Sequence, residues 1–162
     1  MSVTSVEKDR EALTMTVTAE YDVPVERAWQ LWADPRQLER WWGPPTFPAT
    51  FERHELEPGG VVTYFMTGPD GSTHHGWWRV TEVTAPRMLA VEDGFGDEPS
   101  QAVEGMPVTG MRVTLEDREG GGVVMTMVST FPSIEALDQM LAMGMEEGLT
   151  LAMGQIDAIL AG

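Results

Sequence analysis

Cysteine is absent from this 162-residue chain, which removes disulfides, a thiolate nucleophile and any cysteine-based zinc site. Positive charge is scarce: ten Lys and Arg stand against 26 Asp and Glu, a formal net charge of −16. A field of that sign opposes nucleic-acid phosphates and anionic bilayers alike, so neither nucleic acid nor membrane insertion is expected. No apolar run reaches the ~18 residues of a membrane span, and the opening MSVTSVEKDREAL lacks the apolar stretch of a signal peptide. A cytoplasmic protein is the expectation. Histidine is limited to His54, His74 and His75, and the adjacent pair on a predicted strand must diverge to opposite faces, so no metal site and no cofactor are expected. No serine sits in a G-x-S-x-G elbow, and Gly94-Phe95-Gly96 lacks the third glycine and the helix of a dinucleotide fingerprint. No recognisable catalytic constellation remains.

What is present suits one domain. With 42% hydrophobic residues the chain can build a core, and its length matches the ~100–200 residues of a single domain. Residues 1–12 read as a flexible polar tail and 13–162 as the domain. Leu13 to Tyr21 alternates apolar and polar residues, a half-buried strand. Val25 to Ala33 has helical spacing and ends at Asp34-Pro35, where a second short helix starts and stops at Gly43-Pro44-Pro45. A meander of strands follows at 48–56, 61–67, 73–84, 88–93, 109–118 and 123–131, bounded by Gly- and Pro-rich turns, with a long flexible loop at 94–108. From Ser133, a plausible N-cap, one long helix is predicted to Leu160. That helix has only the sheet to bury against.

Within it Gly144, Gly148 and Ala152 recur at i, i+4 and i+8, a stripe of small residues. Each interior glycine costs about 0.8–1.0 kcal/mol relative to alanine, so the space is needed either for close packing on the sheet or for a cavity. Six Trp, five Phe and twelve Met supply bulky walls and adaptable fillers for either interior. Trp77 and Trp78 are neighbours on a strand and must face opposite ways. Trp78, in phase with Val80, is expected inside. Trp77 would lie outside with His75 and Arg79, as a homodimer interface or as a patch covered by a loop. Asp93 and Glu82 lie on strands near the interior, but in a chain with 26 acids solvation or pairing with Arg79 or Arg112 is the expected account of them.

Several strings in order resemble the SRPBCC superfamily of START and birch-pollen-allergen-like proteins, and within it the bacterial branch related to the activator of heat-shock-protein-90 ATPase. They are Val25-Glu26-Arg27-Ala28-Trp29, Asp34-Pro35, Trp41-Trp42-Gly43-Pro44, Pro58-Gly59-Gly60, Gly76-Trp77-Trp78-Arg79-Val80, Pro86-Arg87-Met88-Leu89, Thr130-Phe131 and Met143-Gly144-Met145-Glu146-Glu147-Gly148. The resemblance implies an α+β helix-grip fold, a curved antiparallel sheet around a long C-terminal helix, with a cavity that in relatives accepts apolar molecules. On that basis a small apolar ligand, lipid-, polyketide- or aromatic-like, is expected against Trp42, Tyr64, Met66, Trp78, Phe95, Leu141, Met145, Gly148 and Ala152. Tyr64 would orient it through its hydroxyl, and the loop with Phe95 and Met106 would act as a lid. The alternatives are a cyclase, dehydratase or hydrolase using Asp93, Tyr64 or a histidine in the same cavity, and a protein-binding, co-chaperone-like adaptor using the outer face at Trp77.

Overall fold

The computed structural model describes residues 3–101 and 103–161. Residues 1, 2, 102 and 162, which fall in the expected tail, loop and domain end, lie outside the described residues. The elements are β1 (Val3–Asp9), β2 (Thr14–Tyr21), α1 (Val25–Ala33), α2 (Pro35–Trp41), β3 (Ala49–His54), β4 (Val61–Thr67), β5 (Thr73–Thr84), β6 (Met88–Phe95), β7 (Thr109–Asp117), β8 (Val123–Thr130), α3 (Ile134–Ala142), α4 (Met145–Met153) and α5 (Ile156–Ala161). Eight antiparallel strands form one curved sheet in the order β1-β2-β8-β7-β6-β5-β4-β3. This is the α+β helix-grip architecture. No helix of the described residues is long and apolar enough to cross a membrane.

The alternation read in β2 is realised residue by residue, with Met15, Val17, Ala19 and Tyr21 all buried on the concave face. Cross-strand register lines up that face in rows. Val62, Trp78, Asp93 and Thr109 pair in succession across β4 to β7, and Tyr64, Gly76 and Phe95 form the row beside them. Met15, Ser129, Met111 and Val91 form a further row. Gly76 is required at its place, since a Cβ there would lie 2.5 Å from the Tyr64 ring and hydroxyl.

At the β3–β4 end an aromatic cluster closes the core. Trp32 packs edge-on against Trp41 at 4.8 Å, Trp42 against Trp78 at 4.9 Å, and Phe51 stacks on Tyr64 at 5.0 Å. Ser133 caps its helix as read, accepting from the Ala136 N–H, and Asp34 caps α2 by accepting from that of Arg36.

Three sequence expectations are corrected. The tail is instead strand β1 from Val3 to Asp9, paired to β2, with a bulge between Val3 and Ser5. The bulge lets Val3 and Val6, three apart, both sit opposite inward residues, Ala19 and Val17, which hides the period of two in the sequence. Ion pairs of Lys8 with Glu146 and Arg10 with Asp138 tie this polar edge to the helices.

The single long helix is three helices. Gly144, at φ +87°, ends α3 in a left-handed turn and opens α4, and a second break follows Gly154, where the Gln155 amide donates to the Gly43 carbonyl at 2.7 Å. Trp77 does face outward, yet it is only 2% exposed. Its ring covers Gly94, where a Cβ would lie 2.2 Å away, its N–H donates to the Phe95 carbonyl, and Arg79 lies over the ring. The turn at Pro99–Gln101 packs against the same strand. Of the two readings of Trp77, the patch covered by a loop is what the structure holds, and the ground for a homodimer interface there is gone.

Candidate functional site

The C-terminal helices touch the sheet at their two ends and stand off it in the middle. Ala136 and Leu137 in α3, Ala152 and Met153 in α4, and Ile156 and Ile159 in α5 are buried, whereas Leu141 to Leu149 is only half-buried or exposed. Beneath that middle lies a partly open cavity of about 300 Å³. Its floor comes from β4, β6, β7 and β8, its roof from α3 and α4, and its side from Trp42 and Pro44 just after α2. Gly148 is part of the roof, and a Cβ built on it meets nothing within 4 Å.

Six of the twelve methionines line this space: Met66, Met111, Met127, Met140, Met143 and Met145. Their flexible thioethers make a wall that adapts to the shape it encloses. Of the nine sequence-derived ligand positions, Trp42, Tyr64, Met66, Phe95, Met145 and Gly148 are on the wall. Trp78, Leu141 and Ala152 are not. Trp78 is fully buried beneath Trp42 and Tyr64, Ala152 lies in the packed half of α4, and Leu141 packs on the core away from the cavity.

The stripe Gly144–Gly148–Ala152 therefore divides into three roles: a turn, an opening and a packing contact. Sequence reasoning missed the contribution of β7 and β8, Thr109, Met111, Met127 and Ser129, although all four are in phase with inward residues of their own strands. Extending the period of two along those strands would have found them.

One corner of the cavity is polar. The Tyr64 hydroxyl donates to Asp93 Oδ1 at 3.2 Å, from neighbouring rows of the concave face. The side chain of Asp93 keeps some accessible surface, but that surface is the cavity's own, surrounded by protein. Desolvation therefore pushes its carboxyl up to about 7, with the Tyr64 hydrogen bond pulling the other way. Burial, and then the Asp93 charge, hold the Tyr64 phenol well above its ordinary value.

Trp42 and Trp78 pack edge-on against Tyr64 and ease its ionisation, but their indole N–H groups have no hydrogen-bond partner. Two buried donors are thus left unpaired beside one buried acid. The other acid considered, Glu82, pairs with Arg112 on the exposed side at 3.6 Å. The histidines lie elsewhere: His54 contacts the Trp32 carbonyl, His74 contacts Ser72, and His75 pairs with Asp97.

The fold is shared with solved structures. A crystal structure of a Mycobacterium smegmatis protein is 49% identical, with 98% of this chain and 96% of that one covered and a TM-score of 0.89. A solution structure from Arthrobacter aurescens is 52% identical, with 99% and 92% covered and a TM-score of 0.93. A Rhodobacter sphaeroides protein, 22% identical over 98% of this chain and 97% of its own, has a TM-score of 0.81 and shows the fold alone. None of the curated proteins matches the chain. Over residues 22–161 the sequence matches a family model, and with the helix-grip fold of the SRPBCC superfamily this places the chain in the family described as Activator of Hsp90 ATPase homolog 1-like protein.

Proposed function

We propose that the protein binds a small, largely apolar molecule in the cavity between sheet and C-terminal helices. The carrying observation is the partly open space of about 300 Å³ under Gly148, walled largely by methionines and aromatics, with Tyr64, Asp93, Thr109 and Ser129 as its polar side chains. That volume is at the small end of the ~300–1,000 Å³ usual for ligand pockets. An aromatic body buries about 150–250 Å², which at about 25 cal/mol per Å² contributes roughly 4–6 kcal/mol before the cost of immobilisation. The loop 96–108 acts as a lid: Phe95 at its root lines the cavity, and Met106 reaches Gln139 on α3 at 3.6 Å. Native mass spectrometry of protein purified without added ligand tests the reading. A co-purifying molecule of defined mass, absent from the Gly148→Leu variant, is the expected result, and empty protein that also fails to take up any apolar probe refutes it.

A second reading, proton-transfer catalysis in the same cavity, is favoured by the Asp93–Tyr64 pair, because a carboxyl near 7 can both take and give a proton at neutral pH. Exchange of acidic C–H protons of a bound molecule, lost in Asp93→Asn, would distinguish it from binding alone. The adaptor reading loses its main support with the covered indole of Trp77.

A further inference from the structure

The cavity contains an acid without a cation. Its lining comes from β4, β6, β7, β8, α3, α4 and the segment at 42–44, and among the described residues only Asp93 and Tyr64 on this wall titrate and no Arg, Lys or His joins them. Among the described residues the Asp93 side chain takes one hydrogen bond, from Tyr64. Behind it the Tyr64 O–H points at Asp93, and the buried indole N–H groups of Trp42 and Trp78, in ring contact with Tyr64, have no partner. The Tyr64 hydrogen bond favours negative charge on Asp93. A carboxylate held in an apolar, aromatic chamber lacks only a counter-charge, and removing it from water is costly until one arrives.

We propose that the cavity selects an apolar organic cation, a primary or secondary amine on an aromatic or aliphatic body, whose ammonium group is held by the Asp93 carboxylate against the faces of Trp42, Tyr64 and Phe95. The inference rests on the ligand-binding reading above and names its ligand class. The ammonium donates hydrogen bonds to the free lone pairs of Asp93, and aromatic faces attract cations. The net charge of −16 draws such a molecule in and repels its carboxylate counterpart. Fatty acids and other anionic amphiphiles of the same size are thereby disfavoured, since nothing basic on the wall would receive their headgroup.

Three probes of one skeleton test this: 4-phenylbutylamine, 4-phenylbutanol and 4-phenylbutyrate, titrated calorimetrically into the full chain at about pH 5.5 and about pH 8. At the higher pH the amine should bind about tenfold or more tighter than the alcohol, and the carboxylate weakest. At the lower pH, where Asp93 takes up a proton, the preference for the amine should shrink towards parity. Asp93→Asn removes one charge of 26 acids and leaves the general field in place, so loss of the preference in that variant assigns it to the cavity. The pH series on the unaltered chain stands independently if the variant does not fold. An alcohol that binds as tightly as the amine at both pH values overturns the inference and leaves the cavity reading intact. Failure of all three probes to bind overturns both.

Discussion

Replacing Asp93 by Asn should flatten one component of the pH dependence of stability, and the size of the effect follows from where the carboxyl sits. In the native chain desolvation raises it from 3.8 to about 7. An acid whose native pKa is raised binds more protons folded than unfolded between those two values, so stability falls as pH rises through that window and levels off above it. With those two pKa values the loss between about pH 5.5 and about pH 8 is about 2 kcal/mol, at about 1.4 kcal/mol per pH unit while the native state alone remains protonated. Asparagine is close in shape, its amide oxygen can still accept from Tyr64, and it has no proton to lose.

Urea unfolding of both proteins at the two pH values, followed by tryptophan fluorescence, gives the comparison as a double difference. The histidines and the exposed carboxylates are common to both chains and cancel. The expected result is an unaltered protein that loses about 2 kcal/mol more than Asp93→Asn over the interval, equivalent to about 4–8 °C in Tm for a chain of this size. Parallel stability curves for the two proteins would mean that Asp93 is solvated in the native state, and the electrostatic account of the cavity would fall with it.

The two roof glycines should respond in opposite directions. Gly148→Ala, placing a methyl in open space on a helix, is expected to raise stability by about 0.8–1.0 kcal/mol, while Gly148→Leu keeps the fold and abolishes probe uptake; both are read by thermal melts and calorimetry. Gly144→Ala, at φ +87°, should lower stability by about 1–2 kcal/mol in the same melts, although no neighbour obstructs its methyl. Replacing the loop 97–107 with a short turn should speed ligand release in stopped-flow displacement, and an unchanged off-rate would refute its role as a lid.

The glycines also illustrate what a sequence conveys. Helical spacing made Gly144 and Gly148 equivalent members of one stripe, because periodicity records which face a residue occupies but is silent on its φ. The break at Gly144 is invisible to it, since Leu137, Leu141, Met145 and Leu149 continue the apolar pattern through the turn. The strand alternation was more informative. It placed Trp78 inside and Trp77 outside, and it would have placed Met111, Met127 and Ser129 on the cavity floor had it been carried along β7 and β8. It failed at β1, where a bulge shifts the phase, and it misjudged the exposure of Trp77, because the missing side chain of Gly94 and a turn distant in sequence cover that ring.

Asp93 shows the deeper limit. Among 26 acids nothing local distinguishes it, and its chemistry arises only when register sets it beside Trp78 and Thr109 in one row and next to Tyr64 and Phe95 in the adjoining one. The same rows explain why the helix-grip scaffold itself does not dictate a ligand. The cavity exists because the roof stands off the floor, a property of the fold and of Gly148. The preference within it depends on which side chain the register delivers to one inward position of β6. A basic residue there would invite anions and an aliphatic one would leave the chamber indifferent to charge. Here the position carries a carboxyl that accepts from Tyr64, so the proposed selectivity for positive charge turns on a single residue.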